Sequence, residues 1–293
     1  MAEAPNPKIA AANEILKKKM ATATLIHKEV FAGGRLGKFV IKPDAGDRWA
    51  YQAGQYTTLG LDTPTGFVPR AYSIAGSPLD GGVLEFYIAL VEGGALTPTI
   101  FATEVGGTFR YLSPKGKFTL TQAGANGPKS SLVMVATGTG LAPFVGQLRT
   151  LWKAHQAGVP SPYHIVLFHG AAYSDEFGYA EELEQYAADS AFKLTYIKTS
   201  SRPDGRGWTP AIAKGRVNEV VRLVLGQPNA AGRVVEMPQG VDAAAVRALI
   251  APNGDASKTA FLACGNPGMI EDIKEPIHAI GCPTYLVEEF WKA

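Results

Sequence analysis

The chain has 293 residues, with 28 Lys+Arg against 26 Asp+Glu (net charge +2), and is 46% hydrophobic but only 18% charged. Such a chain can bury a large core, so wholesale disorder is excluded; near-neutrality gives no reason to expect a nucleic-acid partner, and the length favours two domains over one. Two cysteines, Cys264 and Cys282, cannot build a disulfide framework, a four-Cys zinc site or a four-Cys iron–sulfur cluster, so any redox cofactor must be organic or held non-covalently.

Residues 1–20, rich in Ala, Asn and Lys, read as a loosely ordered arm with room for one short helix at 9–18. The run Lys17-Lys18-Lys19 stands where a secretory signal would be apolar, and no stretch approaches the 18 apolar residues of a membrane span. With so few cysteines, a reducing, cytoplasmic setting is expected. From residue 21 the pattern turns to short strands, at 21–31, 36–41, 56–61, 71–74, 84–91, 108–112 and 117–121, with one helix at 97–102. Gly, Pro and Asp turns separate them, which predicts an antiparallel barrel or sandwich over 21–122.

A small-residue stretch at 122–130 reads as a linker, and the rhythm beyond it becomes strand–helix–strand. Strands are expected at 132–137, 164–169, 193–199 and 259–264, and helices at 143–155, 179–188, 217–225 and 269–280. This alternation predicts a parallel α/β domain over 131–293. Residues 226–257 fit less well and read as an insertion holding one short helix at 243–250.

Four segments carry chemistry. In Arg70-Ala71-Tyr72-Ser73, strand alternation puts Arg70 and Tyr72 on one face and Ser73 on the other. A guanidinium can neutralise a pyrophosphate, a phenol ring can lie on a flavin, and a hydroxyl can bond a ring nitrogen that gains a proton. Thr137-Gly138-Thr139-Gly140 joins a buried strand to a helix, so backbone N–H groups can approach an anion there, although the spacing is neither G-x-G-x-x-G nor a P-loop. Cys264-Gly265-Asn266-Pro267 occupies a second strand-to-helix turn, at the edge of the sheet where α/β proteins bind ligands. The fourth is Glu288-Glu289-Phe290-Trp291, near the carboxyl terminus.

In this order, together with Gly54-Gln55-Tyr56, Gly94-Ala95-Leu96-Thr97-Pro98 and Ser201-Arg202, these segments resemble the ferredoxin/flavodoxin–NADP(H) reductase family of FAD-containing flavoproteins, over roughly residues 21–291. The resemblance implies an FAD barrel followed by an NADP(H) domain. Arg70, Ala71, Leu96 and Thr97 then hold the FAD pyrophosphate, Tyr72 packs on the flavin, and Ser73 lies near its N5. Phe290 or Trp291 covers the other flavin face. Gly138, Thr139, Gly140 and Gly265 bind the NADP pyrophosphate, while Cys264 and Glu288 serve the nicotinamide and proton delivery. Ser201, Arg202 and Arg216 form a clamp for the 2′-phosphate, where an NAD site would favour a carboxylate on the ribose. The partner implied is ferredoxin or flavodoxin. A reductase component of an oxygenase system, and a flavin-binding subunit with an idle nicotinamide site, are the alternatives.

Other polar residues read blandly. His155, His164 and His169 have no metal-ligand spacing with the cysteines. Asp175, Glu176 and the run Glu181-Glu182-Leu183-Glu184 read as a solvated helix start, and Lys17–Lys19 as a solvated arm.

Overall fold

The computed structural model describes residues 7–44, 50–203, 206–229 and 234–289. It divides into two compact units, the described residues of Met1–Lys117 with Val145–Thr150, and those of Phe118–Phe144 with Leu151–Ala293.

The first unit opens with helix α1 (Pro7–Lys17) and continues through strands β1 (Ala21–Phe31), β2 (Leu36–Pro43), β3 (Tyr56–Thr63), β4 (Gly66–Ser73) and β5 (Leu84–Ala89), helix α2 (Thr97–Ala102) and strand β6 (Thr108–Tyr111). The strands form an antiparallel sheet in the order β4-β3-β6-β1-β2-β5. Its two edges meet at the Ile74–Phe86 bridge and at the bond from Ala75 N–H to Glu85 O (2.7 Å), which curls the sheet toward closure. The β1–β2 hairpin turns through Ala32, Gly33 and Gly34, all at positive φ, the conformation glycine adopts without strain. Leu25, Phe39, Ile41, Leu59, Phe86 and Phe109 are fully buried inside the curl.

The amino-terminal segment is more ordered than expected over Pro7–Lys17. Asn13 Nδ2 donates to Phe67 O (3.1 Å), and Lys17 pairs with Asp62 at 2.5 Å, so α1 docks on the first unit. Of the lysine run, Lys17 is therefore engaged rather than simply solvated.

The second unit comprises helix α3 (Leu120–Ala123), β7 (Ser131–Thr137), the outer turns of α4 (Ala142–Gln156), β8 (His164–Ala171), α5 (Ala180–Ala188), β9 (Leu194–Ser200), β10 (Ala213–Lys214), α6 (Val217–Leu225), α7 (Ala243–Ile250), β11 (Thr259–Gly265), α8 (Pro267–Ala279) and β12 (Thr284–Glu289). Its six strands are parallel, in the order β10-β9-β8-β7-β11-β12. Leu132 through Ala136 are all fully buried, as a continuous apolar run flanked by two parallel neighbours must be.

Two expectations are corrected. Residues 117–121 are not a strand: the Thr119 side chain accepts from Gln122 N–H (3.2 Å) and caps the one-turn α3 instead. Strands β10 and β12 were not anticipated, being short or interrupted by charges. Within residues 226–257 the short helix expected at 243–250 is α7, whose Val246 and Ile250 join the core cluster of α6 and α8. Among the described residues no helix is long and apolar enough to cross a membrane.

Candidate active site

In the first unit, β4 is an edge strand, and its end carries Arg70, Ala71, Tyr72 and Ser73. Arg70 is exposed, and among the described residues its Nη1 reaches only the neighbouring Pro69 O (2.8 Å), which leaves most of the guanidinium fork available. Ala71 is exposed beside it. Tyr72 is half-buried, and burial raises its phenol to about 12, so it stays neutral. Ser73 is 5% exposed, yet its Oγ has no hydrogen-bond partner. A buried orphan hydroxyl is costly unless a ligand satisfies it, so the strand fits a polar heterocycle set against it. Leu96 and Thr97 open α2 and are both buried. The Thr97 hydroxyl, however, accepts from Val91 N–H (3.0 Å) and donates to Val91 O (3.3 Å), so its side chain holds the preceding loop rather than facing a phosphate.

In the second unit, the carboxyl ends of β7, β8, β9 and β11 surround a cleft of about 590 Å³. Thr137, Gly138, Ala171, Ala172, Ser201, Arg216 and Asn266 line it. Gly138 sits at φ +53° on its wall. Gly140 does not line the cleft; a Cβ there would lie 2.3 Å from Cys264 O, so the two strand-to-helix loops touch backbone to backbone. Gly265 (φ +128°) faces Thr137 just as closely. Asn266 N–H then donates to Thr137 Oγ1 (2.8 Å), while Asn266 Oδ1 accepts from Gly268 and Met269 N–H (2.8 and 3.2 Å) and caps α8. The loops thus brace each other, and Gly138 is the member left open to the cleft. Thr139 is half-buried and does not line it.

Cys264 is fully buried, and burial, then the nearby Glu288 carboxylate, push its thiol well above the usual range. Glu288 is its Cα partner across β11–β12. Burial raises the Glu288 carboxyl to about 7, and its Oε2 has no partner. A carboxyl that titrates near neutrality beside a neutral thiol can hold or release a proton at working pH. Phe290 and Trp291 lie outside the described residues.

Ser201 and Arg216 both line the cleft, whereas Arg202 does not and donates from Nη1 to the Tyr173 hydroxyl (3.1 Å). Sequence reasoning missed Glu176, which is not simply solvated: it lines the cleft, and its Oε2 accepts from Ala172 and Tyr173 N–H (3.1 and 3.3 Å). Asp175 pairs with Arg206 at 3.7 Å. The histidines stay outside the site: His155 pairs with Asp189, and His169 is fully buried with its ring held neutral by that burial. Among the described residues no group of acids, histidines and cysteines could hold a metal.

Residues 27–120 match the oxidoreductase FAD-binding domain family, and residues 134–275 match the oxidoreductase NAD-binding domain family. The chain is 35% identical over 183 residues to ferredoxin–NADP reductase B of Sorangium cellulosum, covering 62% of this chain and 70% of that protein. It is 29% identical over 224 residues to the flavodoxin/ferredoxin–NADP reductase of Escherichia coli, covering 76% and 77%. A ferredoxin NADP+ reductase from Neisseria gonorrhoeae, solved with bound FAD and NADP, superposes with a TM-score of 0.68 at 20% identity over 93% of this chain and 99% of that one. The two domain matches and the likeness to the Sorangium reductase, on a chain whose first unit is an antiparallel curled sheet and whose second is a parallel one, establish that it is an oxidoreductase of the ferredoxin/flavodoxin–NADP(H) reductase family, built from an FAD-binding and a nicotinamide-nucleotide-binding domain.

Proposed function

We propose that the protein reduces ferredoxin or flavodoxin with electrons from NADPH, using FAD bound to the barrel of residues 21–122 and the nucleotide bound to residues 131–293. The observation that carries the choice of nucleotide is the lining of the cleft, where Ser201 and Arg216 share one wall system with Thr137 and Gly138. A hydroxyl and a guanidinium suit a phosphomonoester, and the three carboxylates that also line the cleft accept bonds from the protein: Glu176 from Ala172 and Tyr173 N–H, Glu219 from Arg216 N–H (3.0 Å) and Asp272 from Asn218 Nδ2 (2.8 Å).

When bound, FAD supplies the conversion between the two-electron chemistry of nicotinamide and the one-electron chemistry of an iron–sulfur or flavin carrier. The residues supply position and protons. Arg70 offers its open fork to the pyrophosphate, with Ala71 and the backbone at Leu96 and Thr97 beside it in the reading. Tyr72 presents a neutral ring face, and Ser73 Oγ is a donor fixed by burial and free of other duties. On the nucleotide side, Gly138, with Thr139, Gly140 and Gly265 behind it, shapes the loop for the diphosphate. The neutral Cys264 thiol, buried behind the loop that would meet nicotinamide, keeps that side uncharged, and Glu288 holds a proton at its carboxyl near pH 7. Phe290 or Trp291 completes the reading as the aromatic cover of the flavin.

An anaerobic titration of the purified flavoprotein with NADPH and with NADH, read by flavin absorbance, tests this. Efficient bleaching by NADPH alone, followed by reduction of added ferredoxin or flavodoxin, is expected. Preference for NADH would overturn the nucleotide assignment and favour the oxygenase-component reading.

A further inference from the structure

We infer that Tyr173 and Arg206 belong to the nucleotide site, where the tyrosine ring holds Arg202 and Arg206 as a paired guanidinium receptor for the 2′-phosphate of NADP(H). This rests on the NADP(H) reading above and adds two residues that lie outside the Ser201-Arg202 pair.

The placement follows from the backbone. Ser201 N–H donates to Ala171 O and Arg202 N–H to Ala172 O, both at 3.0 Å, so β8 and β9 run on together past their regular ends. Ala172 and Ser201 line the cleft. Tyr173 and Arg202, each one residue further on, therefore stand side by side at its rim. The Arg206 guanidinium lies 4.1 Å from the centroid of the Tyr173 ring, and that of Arg202 lies 5.4 Å from the same centroid while donating to the hydroxyl. Each contact is within cation–π range, and the ring restricts two otherwise floppy side chains.

The electrostatics point to an anion. Two guanidiniums gathered on one ring repel each other. Arg206 has Asp175 for compensation, at 3.7 Å with both side chains over a third exposed, whereas Glu176 acts on Arg202 through space without an ion pair among the described residues. That carboxylate also accepts from the N–H groups of Ala172 and Tyr173. A phosphomonoester carries close to two charges and three acceptor oxygens near neutral pH, which matches a pair of preorganised forks better than a ribose hydroxyl would. Arg206 also adopts φ +51°, a backbone conformation that non-glycine residues rarely take.

The test is calorimetric binding of 2′-AMP and 5′-AMP to the purified flavoprotein, which reads the phosphate position without turnover. Wild type should prefer 2′-AMP. Arg206→Ala should weaken 2′-AMP by about tenfold or more, the effect of losing one charge-assisted contact, with 5′-AMP changed less than about twofold. Arg206→Lys, which keeps the charge but loses the planar stack, should fall between the two. Tyr173→Phe, which removes only the hydroxyl, should cost less than Tyr173→Ala, which releases both arginines. An Arg206→Ala protein that keeps wild-type affinity for 2′-AMP, or loses both ligands equally, overturns this assignment and leaves the NADP(H) reading standing. A wild type without preference for 2′-AMP overturns both.

Discussion

Gly140→Ala places a methyl where the two strand-to-helix loops of the second unit meet. Its Cβ would lie 2.3 Å from Cys264 O, 2.7 Å from Cys264 C and 2.8 Å from Gly265 Cα. All three are backbone atoms, and ordinary contact begins at 3.4 Å, so the loops must separate by about 1 Å. Rotation of a side chain cannot relieve this, and the Asn266–Thr137 bond on the far side of the same contact resists it. The cost should sit at the upper end of overpacking penalties, about 3 kcal/mol. For a chain of this size that lowers the melting temperature by roughly 6–12 °C. Scanning calorimetry of the flavoprotein should be run beside a Gly81→Ala control. Gly81, at φ +79° with open space around it, pays only the left-handed backbone term of about 1–2 kcal/mol. Binding of 2′-AMP should weaken in Gly140→Ala alone, since Gly138 and Thr137 line the cleft beside the strained contact. A Gly140→Ala protein that melts no lower than Gly81→Ala would refute the claim that the loops are braced by backbone contact.

Three further outcomes are expected. Ser73→Ala should slow single-turnover reduction of the flavin by about tenfold or more while FAD is retained, measured by stopped-flow absorbance; loss of flavin with an unchanged rate would contradict the role given to its orphan hydroxyl. Because burial raises Glu288 from 4.5 to about 7, the fold favours its protonated form, so this group makes stability fall as pH rises from about 4.5 to about 7 and level off above; Glu288→Gln should abolish that slope in urea denaturation, and an unchanged slope would refute the burial argument. Arg149 lies 3.0 Å from Asp80 and 2.6 Å from Glu85, all three side chains 13–14% exposed, so Arg149→Met should destabilise by about 3–5 kcal/mol through the two carboxylates it leaves behind. Adding Asp80→Asn and Glu85→Gln should recover much of the loss, and additive destabilisation instead would show that packing, not charge, dominates.

Much of the architecture was legible because it rests on local periodicity. The run Leu132–Ala136 could belong only to a strand covered on both faces, and the pair Gly33-Gly34 could only reverse the chain. What escaped the sequence was set by tertiary partners. Residues 117–121 carry apolar and β-branched side chains that suit a strand, but the Thr119 hydroxyl found a helix terminus to cap, a choice decided by a competing hydrogen bond. Strand β12 mixes Glu288 and Glu289 with Tyr285 and Leu286, and only its pairing with β11 makes it a strand. At the site, Arg70 through Ser73 and the glycine loops were visible because their residue types must lie in turns and strand ends. The commitment of Thr97 to Val91 depends on how the intervening loop folds back, and the gathering of Arg202 and Arg206 on Tyr173 on contacts between segments far apart in sequence. No local spacing announces those.

The sealed position of Cys264 bears on durability. Reduced flavins that meet oxygen generate peroxide, and an ionised thiol nearby would be the first casualty. Here the sulfur is fully buried and held as the unreactive thiol, with Glu288 discouraging its ionisation further. Alkylating reagents and peroxide should therefore reach it only through local opening of the loop that Gly140 abuts. The same close backbone contact that braces the two loops beside the cleft therefore shields the Cys264 sulfur from such reagents.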